Sequence, residues 1–272
     1  MMDSVFWLYY VLLGAFVGFV AGLVGVGGGG IAVPIFTLMF ASQGIADDEV
    51  VHMALGTSMA SMVFTTFRSM NAHQRQGNLS MLHVSRMSVG TVIGTLLATA
   101  VASHVNGSVL ATFFSLFMLY VTFSMFVSQD NSANEKVHNA LGNVMAGLGI
   151  GAVSSLVSVS GAGMTVPYLV RQNLSIQRAI GSAAAIGFPL TVAGVLGYLL
   201  NGWHNTDIDK LTVGYIYLPA FLFFSVGAWI VTPLGVKLVA YLPSRVLKKM
   251  IGVLALLLSV KMLLSVVDGI AW

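Results

Sequence analysis

Apolar residues run through this chain in long blocks, and polar residues gather in the short gaps between them. The blocks cover residues 5–42, 49–70, 81–103, 108–128, 139–171, 176–200, 212–236 and 246–267. A hydrocarbon core about 30 Å thick is crossed by roughly 20 helical residues. Six blocks have the length of one such crossing. Blocks 5–42 and 139–171 are too long for one, and glycines interrupt both midway. The pattern predicts an all-α polytopic membrane protein with two abnormal segments. The first block lacks the basic start and small-residue cleavage site of a signal peptide, so it reads as structure.

The two abnormal blocks resemble each other. GLVGVGGGGIAVP at Gly22–Pro34 lines up with SLVSVSGAGMTVP at Ser155–Pro167, 133 residues further on. ALGTS at Ala54–Ser58 then matches AIGSA at Ala179–Ala183, and SVGTVIGTLL at Ser88–Leu97 matches SVGAWIVTPL at Ser225–Leu234. The chain is therefore an internal duplication, divided into a first repeat over 1–129, a linker over 130–137 and a second repeat over 138–272. Each repeat holds one broken segment and three plain ones.

Loop charges orient the repeats. Asp47, Asp48 and Glu49 follow the first broken segment, whereas Arg171 and Arg178 flank the end of the second. The next loop carries Arg68, His73 and Arg75 with Arg86 beyond, against His204, Asp207, Asp209 and Lys210 in the copy. The third is nearly neutral around His104, against Lys237, Arg245, Lys248 and Lys249. Lys and Arg favour the cytoplasmic face, so equivalent loops fall on opposite sides and the repeats are inverted. Inversion needs an odd number of crossings per repeat. Each broken segment is accordingly expected to enter and return on one side, as a helical hairpin turning at Gly25–Gly30 or Ser158–Gly163.

Composition narrows the function. Only 8% of the 272 residues are charged and 57% are apolar, with a mean hydropathy of +0.91, whereas soluble domains carry about a quarter charged residues. The net charge is +3 without any basic run, which argues for membrane orientation and against a nucleic-acid partner. Cysteine is absent, which excludes disulfides and thiolate metal sites. All nine acidic residues fall in loops or at segment ends, which argues against a cation path lined by carboxylates.

The glycine knot admits several chemistries. Gly25-x-Gly27-x-x-Gly30 formally satisfies a dinucleotide fingerprint, but the preceding strand that such a site needs is replaced by a membrane helix. Ser158 or Ser160 would act as an intramembrane nucleophile only with a base in reach, and the histidines lie in loops or near segment ends, with His52 and His83 placed so that they could face inward. Tight helix packing alone is a further reading. The pattern favours an anion site. Glycine frees the turn from side-chain restrictions, and Pro34 and Pro167 are expected in the first turn of a following half-helix. Such a helix start offers unpaired N–H groups and a partial positive charge. The expected substrate-binding residues are Gly27, Gly28, Gly29, Gly30, Thr57, Ser58, Ser158, Ser160, Gly161, Ala162, Gly163 and Ser182, with Thr191 a further candidate. No catalytic residue, metal ligand or cofactor is expected. Arg68 and Arg86 read as anchors at the cytoplasmic rim, and the role of Lys261 is open.

GLVGVGGGGIAVP, ALGTS, HQRQGN, QRAIGSAAA and LPSRVLKKMIGVLALLLSVKML together resemble the sulfite exporter TauE/SafE family over nearly the whole chain. That resemblance implies a multi-pass permease of the bacterial inner membrane for sulfite, sulfoacetate or related organosulfonates, and hence no enzyme. A channel with the same lining is the alternative, and coupling to protons or sodium stays open. Family members commonly show G-x-G-G-G in the second motif. Here Ser158-Val159-Ser160-Gly161-Ala162-Gly163 stands instead, which bears on the choice of anion.

Overall fold

The computed structural model describes residues 4–24, 28–45, 47–127, 139–205 and 211–238, together with Val253, Leu256 and Val260. The described chain is almost entirely helical. Its helices are α1 (Ser4–Val24), α2 (Gly29–Ser42), α3 (Asp47–Arg75), α4 (Met81–Ala102), α5 (Gly107–Val127), α6 (Ala140–Leu156), α7 (Ala162–Val170), α8 (Ile176–Asn201) and α9 (Leu218–Leu238). Four of them, α3, α4, α8 and α9, contain apolar stretches long enough to cross a membrane.

Both interrupted blocks fold back on themselves. Gln43 at the end of α2 donates from Nε2 to the Tyr10 hydroxyl of α1 at 2.6 Å. Gln172 after α7 donates to Asn143 Oδ1 near the start of α6 at 2.8 Å, where the Tyr168 hydroxyl also donates at 3.1 Å. A glutamine thus ties the open end of each hairpin.

Small residues set the closest helix contacts. A Cβ on Gly14 would collide with the Phe224 backbone and one on Gly18 would meet Ala228 Cα at 2.7 Å, so α1 runs parallel to α9. Gly90 and Gly94 lie against the Val144 and Leu148 carbonyls, and Gly147 and Gly151 against those of Met87 and Thr91, so α4 runs parallel to α6. This is the close approach expected for small-residue spacings in lipid, where packing rather than water exclusion holds helices together. At the centre α3 crosses α8 in the opposite direction: Met59 packs on Gly194, and Thr66 Oγ1 lies 3.1 Å from Thr191 Oγ1.

The outer helices carry large apolar side chains on the surface, including Leu222, Val226, Ile230 and Leu234 along α9 and Val89, Ile93 and Leu97 along α4. A soluble protein rarely exposes so continuous an apolar band. Together with the long apolar helices it marks a multi-pass membrane protein.

Several expectations need correction. α2 begins at Gly29 and α7 at Ala162, so Pro34 and Pro167 occupy the sixth helical position rather than the first turn. The helix starts earlier because Gly28 and Gly161 already serve as its N-caps. Block 212–236 opens as a small hairpin of two strands, β1 (Thr212–Val213) and β2 (Ile216–Tyr217), before α9 begins. Its run of β-branched and aromatic residues, with Gly214 at φ 57°, suits a tight reversal better than a helix start. His73 and Arg75, expected in a loop, belong to the last turn of α3. Gly25–Gly27, the linker 130–137, Asp207, Asp209, Lys210, the basic residues 245–249 and Lys261 lie outside the described residues.

Candidate functional site

The tips of the two hairpins meet at the middle of the molecule. Gly28 caps α2 at φ 78°, ψ −6°, and Gly161 caps α7 at φ 75°, ψ −8°. These are equivalent positions of the duplication in one left-handed conformation, which costs an L-residue roughly 1–2 kcal/mol and glycine nothing comparable. The chain must turn sharply here to start a new helix, and glycine permits it.

Each cap carbonyl accepts the first intrahelical bonds. Ile31 and Ala32 donate to Gly28 O at 3.1 and 3.0 Å, and Met164 and Thr165 donate to Gly161 O at 3.1 and 2.9 Å. The amides of Gly29, Gly30, Ala162 and Gly163 precede these bonds and so have no acceptor within their own helix. Both helix starts carry the positive end of the peptide dipoles.

The two tips touch directly. A Cβ on Gly29 would collide with the carbonyl oxygen of Ser158, and one on Gly30 would lie 3.8 Å from Val159 Cγ2. Ser158 is the equivalent of Gly25, yet it adopts φ 45°. Its buried hydroxyl donates to the Leu55 carbonyl of α3 at 3.0 Å, which ties the second tip to the central helix. Ser160, the equivalent of Gly27, packs against Gly187 of α8, and its buried Oγ has no hydrogen-bond partner. Among the described residues, neither serine hydroxyl is bonded to a histidine.

The helical candidates divide into two groups. Ser58 is fully buried on α3 between Leu55 and Met62, which touch Ser158 and the Gly29 position respectively, and its Oγ is unpartnered. Thr57 and Ser182 do something else. Thr57 Oγ1 accepts from the Tyr217 amide at 3.0 Å, just before α9, and Ser182 Oγ accepts from the Ser80 amide at 2.9 Å, just before α4. Each neighbouring glycine is pressed on the same loop, Gly56 on the Tyr215 carbonyl and Gly181 on that of Asn78. Two hydroxyls that align in the sequence therefore each hold the approach to a helix in the other half of the chain. Thr191 is bonded to Thr66 and to the Phe188 carbonyl. Gly27 lies outside the described residues. Sequence reasoning passed over Ser154, a buried and unpartnered hydroxyl whose Oγ lies 3.1 Å from where a Cβ on Gly161 would stand. A single serine inside an apolar run gave no signal for it.

Among the described residues, no charged side chain takes part in these contacts at the tips. Arg68 sits further along α3, with its guanidinium carbon 4.0 Å from the Trp229 ring centroid of α9. That cation–π contact supplies a partner for the Arg68 charge.

An apolar outer surface around a polar centre, in which two short helices begin at apposed glycine caps, defines a multi-pass membrane protein with interrupted helices at its core. The chain belongs to the sulfite exporter TauE/SafE family, which it matches over residues 10–262. It is 30% identical to a probable membrane transporter protein of Haemophilus influenzae, over 96% of this chain and 99% of that one. Probable membrane transporter proteins of Bacillus subtilis and Methanocaldococcus jannaschii are 26% and 24% identical, over 89% and 84% of this chain and 94% and 84% of theirs. No solved structure matches the chain. Family and relatives alike carry the names of membrane transporters rather than enzymes.

Proposed function

We propose that this chain is a secondary transporter that moves sulfur-containing anions, such as sulfite or organosulfonates, out across the inner membrane of a bacterium. We further propose that residues 1–129 and 138–272 are inverted repeats and that the anion binds between their hairpin tips. The observation that carries the site is the pair of apposed half-helix starts capped by Gly28 and Gly161. Interrupted helices whose positive ends point at an anion near the membrane midplane are a recurrent transporter device.

Removing a charged anion from water costs tens of kcal/mol if nothing replaces its hydration. The amides of Gly29, Gly30, Ala162 and Gly163 with the hydroxyls of Ser58 and Ser160 offer six donors, and a hydrogen bond to a charged group contributes roughly 1.5–3 kcal/mol. No lysine or arginine is then required at the site. The sulfur in the substrate rests on the family name, since amides and hydroxyls suit any oxyanion of similar size.

Inversion is supported by the packing directions. The equivalent helices α3 and α8 run antiparallel, and Thr66 and Thr191, which occupy one position of the duplication, bond to each other. Pairings also come in matched sets: α1 on α9 with α6 on α4, and α2 on α3 with α7 on α8. Flux of sulfite, sulfoacetate and other sulfonates into proteoliposomes, with proton or sodium gradients imposed in turn, tests the function. Saturable flux of a sulfur anion is the expected result. Absence of any anion flux from correctly inserted protein rejects it.

A further inference from the structure

From the environment of α3 we infer that the substrate reaches the tips along one face of this helix, from the end that bears Arg68, and that the opposite end is closed by the β1–β2 hairpin. The inference rests on the site reading above and adds a route to it.

Successive helical residues turn by about 100°, so positions spaced by three, four or seven share a face. Ser58, Thr65, Ser69 and His73 lie on one such face of α3, with Thr66 beside them and the buried Met62 between Ser58 and Thr65. Their exposure rises steadily along the helix: Ser58 0%, Thr65 2%, Thr66 3%, Ser69 6%, and His73 only half-buried. Among these, Ser58 Oγ, Ser69 Oγ and His73 Nδ1 are buried atoms without a hydrogen-bond partner, and so is Nε of the neighbouring Arg68. A buried polar atom left unpaired costs about 1–3 kcal/mol, and four along one helix would be an expensive way to fill a dry core. Water and a passing anion would supply the missing partners.

The second repeat provides the contrast. The equivalents of Ser58, Thr65, Ser69 and His73 are Ala183, Leu190, Gly194 and Tyr198 on α8. Ala183, Leu190 and Tyr198 stay at 0–1% exposure, and the Tyr198 hydroxyl donates to the Ser155 carbonyl. Gly194 is filled by Met59. The β hairpin then covers the end of α8: Gly202 is pressed on Tyr215 and Gly214 on Leu199. Tyr215 also stacks on His52 of α3 at 5.1 Å. One face leaves hydroxyls unpartnered and is graded in exposure; its twin keeps only Thr191, the equivalent of Thr66, and Tyr198 as polar positions, both hydrogen-bonded, and is sealed.

The dimensions agree. Ser58 and Ser69 are eleven residues apart, or about 16 Å along a helix at roughly 1.5 Å per residue. That is half the thickness of a hydrocarbon core. A site at the level of Ser58 therefore places Ser69 at the membrane surface. Arg68 with Arg75 and Arg86 makes this the cytoplasmic end and gives its mouth a charge that gathers anions.

The test uses the natural absence of cysteine. Thr65→Cys, Ser69→Cys and His73→Cys, and as controls Leu190→Cys and Tyr198→Cys, are expressed full-length in membrane vesicles of either orientation. Each is treated with anionic or cationic methanethiosulfonate reagents, and insertion of every variant is checked by immunodetection. Modification from the Arg68 side is expected to slow in the order His73→Cys, Ser69→Cys, Thr65→Cys, with both controls at least about tenfold slower from either side. The anionic reagent should react about tenfold faster than the cationic one at Ser69→Cys, and Arg68→Gln should remove that preference. Ser69→Cys and His73→Cys reacting no faster than the α8 controls, or equally from both sides, overturns the route. Equal rates for reagents of either charge overturn its anion preference. Wild-type flux in Gly29→Leu would instead reject the site and leave this labelling pattern standing, so the two failures are distinguishable.

Discussion

The starts of α2 and α7 share a cap conformation and differ in the residues that lead into it. Gly28 and Gly161 hold nearly the same left-handed cap, so the turn into each half-helix is one solution used twice. Around that cap the second tip carries hydroxyls where the first has glycine. Ser158 uses its hydroxyl to fasten the tip to Leu55, whereas Ser160 keeps its own buried and unpartnered. The difference separates two jobs that glycine cannot do: anchoring a tip, and placing an unpartnered hydroxyl beside a helix start. In the proposed site the backbone would supply the amides and the serines would make its two sides unequal.

The comparison can be broken most severely at Gly29. A leucine there must push Ser158 away, so Gly29→Leu should lower proteoliposome flux to background while the protein still inserts; unimpaired flux would reject a site between the tips. Next come Gly56→Ala and Gly181→Ala, which press a methyl on Tyr215 and Asn78 in equivalent loops. Overpacking of this kind costs about 1–3 kcal/mol, and thermal unfolding in detergent should show two similar losses if the repeats share this contact.

Ser160→Ala removes one donor from the proposed site. A hydrogen bond to a charged group is worth roughly 1.5–3 kcal/mol, so KM for the anion should rise about tenfold or more with little change in unfolding temperature. Unchanged KM would leave the serine as lining. Thr57→Val and Ser182→Ala each free one loop amide and should cost about 1 kcal/mol of stability, equal within error and without a change in KM.

The smallest effect is expected at Ser158. Glycine there loses a hydrogen bond worth about 1 kcal/mol but relieves a left-handed serine that costs roughly as much. Ser158→Gly should therefore unfold near the wild-type temperature, and Ser158→Ala, which keeps the strain and loses the bond, clearly below it. The reverse order would show that the φ of 45° carries no strain.

Much of the fold was legible because lipid makes the code simple: length gives crossings, and glycine gives close approach. The match of Gly22–Pro34 to Ser155–Pro167 brought Gly28 and Gly161 into register before any geometry was known. The helix starts were misplaced because proline is a familiar first-turn residue and glycine a poor helix former. Here the caps act through φ, and the helices begin five residues before each proline. The β hairpin was hidden because Thr212–Tyr217 is as apolar as a membrane segment. Thr57 and Ser182 resembled cavity donors since their acceptor roles depend on amides 160 and 102 residues away. Ser58, Thr65, Ser69 and His73 stand at helical spacing in the sequence, but nothing there told which of their polar atoms would find partners in the fold.

The crossed bonds of Thr57 and Ser182 carry a last implication, about assembly. Each repeat lends a hydroxyl to the loop that launches a helix of the other, so neither has its full set of contacts until both are in the membrane. A ribosome that has released only the first repeat leaves Thr57 without the Tyr217 amide and the Ser80 amide without Ser182. Final consolidation of the first repeat must then wait for the last third of translation. Two separately expressed halves should recover those bonds only by finding each other in the bilayer.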